Sequence, residues 1–563
     1  MKKNFYIRMN PLNKNLCILV SLDGWGIAPP GPGNAVSLAK TINMNKFWAS
    51  YPHTQLGASG ESVGLPRGED GNSETGHINM GAGKIVYQYL ARINMSIADG
   101  TFFTSPVLLG AIEHVKKNNS KLHFMGLVGS GGVHSNIEHL FALIHLASSK
   151  NVEKVFIHAF TDGRDSPPTS GISYIQKIKE HIEKEKVGKI ASVMGRYWAM
   201  DRDRRWDRTA KAYFALTKGE GRLIKSIEDA ITESYSRGLT DEFIEPMLMA
   251  DDENKPIGLI EDGDAVVFFN FRIDRPRQLS RAFVVQDELK DGEWGFDPYS
   301  DLYSVKKDNG KPHEGSPMFQ RGKKLENIYF VLMTEYEKIL IKHGARAIFS
   351  PETISMPLGR VLSLNDVRQI RVAESEKERF VTYHFNGRRE DPFPGEDRVI
   401  IPSPKVPTYD LKPEMSSYEI TDALLSRLSD GVYSFAFINY AAPDMVGHTG
   451  NIDAAIKAVS AVDECVGKLC NFALGYGGTV ILTADHGNVE EMIDLQTGEV
   501  DTEHSTNPVP FIVVSKEFMS KPFVLTSGIL ADVAPSVLGV LGIDIPSEMT
   551  GRDLLKDIRD PHL

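Results

Sequence analysis

The sequence predicts an α/β protein of two domains, each built on a mainly parallel sheet covered by helices. Three observations carry this expectation. Short, continuously apolar runs recur along the chain, each followed by a polar loop and then a helical pattern. Runs that are apolar throughout, rather than alternating, belong to strands buried on both faces. The chain has 563 residues, enough for two full cores.

The first run, residues 16–22, ends in Asp23. It is too short to span a bilayer, and it leads into Asp23-Gly24-Trp25-Gly26 rather than a small-residue cleavage site. It reads as a buried strand. About 50 residues on, Gly71-Asn72-Ser73-Glu74-Thr75-Gly76-His77 sets one serine between two glycines, in what reads as a loop. Further strands follow at 122–129, leading to His134, and at 155–161, ending in Asp162-Gly163-Arg164-Asp165. The runs 190–195 and 265–271 end in Arg196 and Arg272, 433–439 leads to Asp444, and 479–484 ends in Asp485-His486. In parallel sheets, ligands bind beyond the carboxyl ends of the strands. Reactive residue types stand at that end of strand after strand.

The helices between are amphipathic. Ser135 and Glu138 have capping-box spacing, and Ile137, Leu140, Phe141 and Ile144 form an apolar stripe at i, i+3, i+4, i+7. The start of that helix offers backbone N–H groups to an anion beside His134. A second helix is expected over 453–474. Residues 287–324 are polar and aperiodic and read as a surface insertion. The proline-rich run 401–407 reads as extended loop.

Composition narrows the function. Charged residues make up 24% and hydrophobic ones 41%, ordinary for a soluble globular chain. A net charge of −11 argues against broad nucleic-acid or membrane-surface binding, because both need positive fields. Cys17, Cys465 and Cys470 form no CxxC pair, so buried thiols in a reducing compartment are expected. The cytoplasm is the default location.

Two constellations carry chemistry. Asp444-Met445-Val446-Gly447-His448, Asp485-His486 and His504 offer mixed carboxylate and imidazole ligands, which suit Mn²⁺, Zn²⁺ or Co²⁺ better than Mg²⁺. With Asp23 and Ser73 they furnish ligands for two cations, which could ionise a serine hydroxyl and polarise a phosphoryl group. Any one of these residues alone is an ordinary cap or turn residue; their joint placement after strands is the signal. The second constellation is His134, Arg164, Asp165, Arg196, Arg202, Arg272 and Arg275. Several guanidinium forks after different strands can converge on a small polyanion. In Asp201-Arg202-Asp203-Arg204-Arg205 the alternating charge reads as surface, with Arg202 alone a candidate.

On these motifs the chain resembles the cofactor-independent (2,3-bisphosphoglycerate-independent) phosphoglycerate mutases, of the alkaline-phosphatase-like superfamily. The resemblance spans nearly the whole chain. Its motifs include the Ser73 heptad, Gly132-Val133-His134-Ser135, Asp162-Gly163-Arg164-Asp165, Gly195-Arg196-Tyr197-Trp198-Ala199-Met200-Asp201-Arg202, Asn270-Phe271-Arg272-Ile273-Asp274-Arg275, Glu374-Ser375-Glu376-Lys377, Pro443-Asp444-Met445-Val446-Gly447-His448 and Thr483-Ala484-Asp485-His486-Gly487-Asn488. It implies a discontinuous metal domain from 1–88 and 334–563, with a substrate domain, 89–333, inserted through two hinges. It implies that Ser73 is phosphorylated, that Asp23, Ser73, Asp485 and His486 hold one metal, and that Asp444, His448 and His504 hold the other. His134, Arg164, Asp165, Arg196, Arg202, Arg272, Arg275 and Lys377 would grip the substrate. Lys377 would also absorb charge on the phosphoryl group, and Asp165 would be the general base. The implied reaction interconverts 3-phosphoglycerate and 2-phosphoglycerate in glycolysis and gluconeogenesis. It would use two divalent ions, foremost Mn²⁺ with Co²⁺, Zn²⁺ or Mg²⁺ as alternatives, and no 2,3-bisphosphoglycerate. Closure over the hinges would exclude water. A monomer acting on a small molecule, without nucleic acid or membrane, is expected. Thr75, Asn136 and Ala442 stand where many members carry valine, histidine and asparagine. The rival readings are a metal-dependent phosphatase, a mutase for another sugar phosphate, and a non-catalytic phospholigand-binding protein.

Overall fold

The computed structural model describes residues 16–285, 319–494 and 497–559. Residues 287–318 of the expected polar insertion lie outside the described residues. The chain divides into two compact units, Met1–Gln88 with Glu352–Leu563, and Tyr89–Pro351. In chain order the first unit opens with β1 (Cys17–Leu22) and β2 (His53–Gly57). The second unit supplies β3 (Leu122–Val128), β4 (Val155–Thr161), β5 (Lys189–Gly195), β6 (Arg222–Ile224), β7 (Met247–Met249), β8 (Ala265–Phe268), β9 (Tyr329–Thr334) and β10 (Arg346–Phe349). The first unit resumes with β11 (Gln369–Glu374), β12 (Glu396–Ile401), β13 (Phe435–Tyr440), β14 (Thr479–Thr483), β15 (Val509–Val514) and β16 (Gly528–Ile529).

Each unit holds one eight-stranded sheet. The first runs β12-β11-β13-β1-β14-β15-β2-β16, and the second β10-β9-β8-β3-β4-β5-β7-β6. Pairing is parallel except at β14–β15, β15–β2 and β5–β7. β1 is central because all six of its residues are buried, which only a strand covered on both faces can satisfy. Its register sets Leu22 beside Tyr440 of β13, so both chains leave the sheet at the same level.

The described span of the second unit runs past residue 333, where the family resemblance puts the return. β10 pairs in parallel with β9, and that ladder keeps residues 334–351 in the second sheet. The helix Ile452–Tyr476 is slightly longer than the expected 453–474. The Asn451 side chain accepts the Ala454 N–H at its start, and Gly477 takes the left-handed conformation at its end. The capping box read from Ser135 and Glu138 does not form. The cap of Ile137–Ser149 is Asn136, whose side chain accepts the Glu138 N–H at 2.9 Å, while Ser135 Oγ donates to the Leu127 carbonyl at 2.6 Å. Asp201, read as part of a surface run, is buried, because its carboxylate accepts the Asp203 and Arg205 N–H groups and Gln278 Nε2. No helix among the described residues is long and apolar enough to cross a membrane. All three cysteines are free and buried, and burial pushes Cys17 up to about 12, so it is no ready thiolate.

Glu374, the last residue of β11, is fully buried and accepts the Ser416 N–H at 3.0 Å. Burial pushes its carboxyl up from 4.5 to about 7, the Ser416 N–H offsetting only part. The folded state therefore holds this proton more tightly than the unfolded chain. The stabilisation is full below about pH 4.5 and is lost as pH rises through about 7. At about 1.4 kcal/mol per pH unit, the gap is worth roughly 3 kcal/mol. The stability difference between the parent and Glu374→Gln should fall by that order over this window in urea titrations. A difference constant with pH would show that the carboxyl titrates normally.

Candidate active site

In the first unit, sheet order assembles the site. β11, β13, β1 and β14 are consecutive neighbours. The segments after their carboxyl ends carry Lys377, Asp444 with His448, Asp23, and Asp485 with His486, Lys377 and Asp444 each in a short helix. Parallel register brings these segments out side by side, as open α/β sheets do at ligand sites. Ser73 does not lie in a loop. It is the first residue of the helix Ser73–Ala82, capped by Asn72, whose side chain accepts the Thr75 N–H at 2.9 Å. The hydroxyl thus sits at the positive end of a helix with free N–H groups. Gly76 is required because a Cβ there would strike the Asp485 carbonyl.

Ser73 Oγ lies 3.0 Å from His486 Nε2, 3.4 Å from Asp23 Oδ1 and 2.8 Å from Lys377 Nζ. The Lys377 ammonium also donates to Asp23 Oδ1 and Asp444 Oδ2, both at 2.7 Å. Burial works against that charge, but Asp23, Asp444 and Asp485 outweigh it and raise the lysine above its ordinary value. Removing the ammonium would strand buried carboxylates at about 3–5 kcal/mol. The same balance holds Asp444 well below its usual range: Lys377 and His486 overcome burial. His486 goes the other way, up to about 10, because Asp485, Asp444 and Asp23 outweigh burial.

The histidine tautomers bear on whether cations fit here. His448 Nδ1 faces the Thr502 carbonyl and His504 Nδ1 the Gly71 carbonyl, each at 2.8 Å. Both Nδ1 atoms therefore donate, which leaves each Nε2 a lone pair when the ring is neutral. Those two Nε2 atoms face each other at 3.1 Å, and each lies within 3.4 Å of Asp444 Oδ1. Two ring nitrogens and a carboxylate oxygen at that range can share one cation as ligands. Ligand atoms of Asp444, His486 and His504 lie within 4.8 Å of one another, as do those of Asp23, Asp485 and His486. The buried Asp485 Oδ2 has His77 Nδ1 at 3.2 Å, a nitrogen already bonded to the Ser73 carbonyl at 2.9 Å. This nitrogen and oxygen set fits divalent Mn, Co or Zn.

The second unit builds a cationic cluster by the same logic, from β8, β3, β4 and β5. His134 follows β3, Arg164 and Asp165 follow β4, Arg196 follows β5, and Arg272 and Arg275 follow β8. Arg196 Nη1 bridges Asp162 Oδ1 at 2.6 Å and Asp165 Oδ2 at 2.5 Å. Asp274 lies 3.6 Å from His134 Nδ1, 2.7 Å from Arg202 Nη1 and 3.5 Å from Arg272 Nε. Burial, with Arg196, Arg272 and Arg275 beside it, pushes His134 down to about 3 despite Asp274, so the ring is neutral at pH 7. Burial raises Asp165, but the hydrogen bond and charge of Arg196, with Arg275, outweigh it and hold the carboxyl below its ordinary value. Burial and the neighbouring Arg196 and Arg202 push the Arg275 guanidinium down to about 10. Its Nε has no partner among the described residues. An anion bound here would relieve both conditions. Arg164 is half exposed and pairs with Glu242 at 3.5 Å, yet still adds to the positive field on Arg275.

Sequence reasoning missed the residues that hold these groups in place. His77 Nδ1 donates to the Ser73 carbonyl at 2.9 Å and lies 3.2 Å from Asp485 Oδ2. Asn439 Nδ2 donates to Asp23 Oδ2 at 2.7 Å, and Asn488 Nδ2 to Asp444 Oδ1 at 2.9 Å. Asp162 and Asp274 do the same in the second unit. All but Asn439 lay inside the quoted motifs, which were the available signal.

The chain is similar to known proteins over nearly its whole length. The family model described as the BPG-independent PGAM N-terminus matches residues 93–338. The 2,3-bisphosphoglycerate-independent phosphoglycerate mutase of Chloroflexus aggregans is 48% identical over 540 residues, covering 96% of this chain and 98% of that protein. The protein of that name from Moorella thermoacetica is 47% identical over 544 residues, covering 97% and 99%. The crystal structure of Leishmania mexicana phosphoglycerate mutase at low cobalt concentration is 28% identical, covers 96% of this chain and 98% of its own, and superposes with a TM-score of 0.58. With close to half its residues shared along almost the full length of both chains, this chain belongs to the 2,3-bisphosphoglycerate-independent phosphoglycerate mutases and is an isomerase of that kind.

Proposed function

We propose that the chain interconverts 3-phosphoglycerate and 2-phosphoglycerate through a phosphoserine on Ser73, as a step of cytoplasmic glycolysis and gluconeogenesis. The observation that carries this reading is the setting of the Ser73 hydroxyl. It is buried at a helix start, touches Lys377, and faces imidazoles and carboxylates whose lone pairs converge. Asp23, Ser73, Asp485 and His486 hold one divalent cation in this reading, and Asp444, His448 and His504 the other. Mn²⁺ is the foremost candidate, and the low cobalt concentration named for the Leishmania crystals is in keeping with Co²⁺ as an alternative. When bound, such ions supply Lewis-acid charge to a serine oxygen and to phosphoryl oxygens.

The protein's own groups do the rest. Ser73 Oγ forms the new bond to phosphorus while the substrate's P–O bond breaks; the hydroxyl proton passes to the Asp23 carboxylate it faces and returns to Ser73 when the phosphoserine is cleaved. Lys377 Nζ, within reach of that oxygen, neutralises charge on the transferring group. In the second unit, Arg164, Arg196, Arg202, Arg272 and Arg275 with His134 hold the glycerate. Asp165, ionised beside Arg196, takes the proton of the glycerate hydroxyl that then attacks the phosphoserine. Its acid form returns a proton to the glycerate oxygen released in the first half.

An enolase-coupled assay with 3-phosphoglycerate, metal ion and no 2,3-bisphosphoglycerate separates this from hydrolysis on the same scaffold. We expect product formation with phosphate release at least about 100-fold slower, the acceptor hydroxyl being held in place. Phosphate release as the main reaction would make the protein a phosphatase.

A further inference from the structure

Glu490 belongs to none of the roles above, yet its buried carboxylate ties together the three loops that carry Asp23, Asp485–His486 and His504. Its Oε2 accepts the backbone N–H of Gly26 at 2.8 Å and of Asn488 at 2.9 Å. Its Oε1 accepts Ser505 Oγ and Asn507 Nδ2, the latter at 3.1 Å. Gly26 lies three residues after Asp23, Asn488 two after His486, and Ser505 next to His504. The side chain is 3% exposed and all four acceptor positions are used. The sequence is shaped around it. A Cβ at Gly26 would run into the Glu490 carboxyl group, and one at Gly487 would strike both Glu490 Oε1 and Ser505 Oγ. Two motif glycines are thus explained by one carboxylate rather than by the substrate.

We infer that Glu490 is a positioning residue that sets the spacing of the cation-ligating loops, and of His504 in particular. The inference rests on the reading that these loops hold two cations. Gly26 and Asn488 present backbone N–H groups, which can only donate. Ser505 presents a hydroxyl, which can also accept. A glutamine at 490 must therefore aim its carbonyl oxygen at Gly26 and Asn488 and its NH₂ at Ser505 and Asn507. Asn507 Nδ2 also donates to Glu491 Oε2 at 2.6 Å, which opposes the amide flip that would accommodate this. The damage falls on residues 504–507 and leaves the Asp23 loop in place.

The test is calorimetric titration of the metal-stripped full chain with Mn²⁺, comparing parent, Glu490→Gln and His504→Ala. In Glu490→Gln, affinity should drop about tenfold or more at the site that His504→Ala removes, and by less than about threefold at the other. A merely structural role would lower the unfolding midpoint without this asymmetry. Equal weakening of both sites, or none, overturns the inference while leaving the two-cation reading standing. A parent chain that takes up no Mn²⁺ overturns both. If Glu490→Gln does not fold, Ser505→Ala carries the test, since it keeps the carboxylate and removes one of its four donors. Weakening confined to the same site supports the role, and unchanged affinities overturn it.

Discussion

Ser73→Ala is expected to lower mutase turnover at least about 10⁴-fold and to abolish phosphoenzyme formation. No other hydroxyl among the described residues lies against Lys377, His486 and Asp23 together. The fold should survive. Asn72, not Ser73, caps the helix, and Lys377 keeps its bonds to Asp23 and Asp444. The hydroxyl's three contacts, with Lys377, His486 and Asp23, are lost at about 1 kcal/mol each. Circular dichroism alongside the coupled assay separates the activity effect from this stability effect. Turnover near the parent rate would refute the serine intermediate.

The second large effect is metal removal. Dialysis against a chelator should lower turnover by about 100-fold or more, and Mn²⁺ or Co²⁺ should restore it. The electrostatics explain why the loss should be steep. The Lys377 ammonium spans Asp23, Asp444 and Ser73. An ammonium by itself supplies no Lewis acid at the serine oxygen. Full activity in metal-free buffer, verified by elemental analysis, would rule out the two-cation mechanism.

The strands and the residues at their ends were legible because a strand buried on both faces is written locally, as a short unbroken apolar run. β1, β4 and β14 stand close to where the apolar pattern puts them. The helix that begins at Ser73 was not legible. Ser73 and residues 75–82 are all buried, so no polar face alternates with an apolar one and no period marks the helix. Its glycines read as turn residues, although Gly76 is there for close packing. The Asn136 cap was misread because Ser135 and Asn136 are both good caps, and only the Leu127 carbonyl draws the serine away.

By itself the sequence determined which chemical groups the protein owns: a serine, a lysine, carboxylates and imidazoles at strand ends in one half, and guanidinium groups in the other. Only the tertiary structure decided which of them meet. The order β11-β13-β1-β14 brings Lys377, Asp444, Asp23 and Asp485 to one place. The bonds from Asn439 to Asp23 and from Glu490 to Gly26 join positions more than 400 residues apart. Strand formation depends on near neighbours in the chain, whereas sheet order and hydrogen-bond partners depend on burial and geometry across the whole fold, which no local pattern encodes.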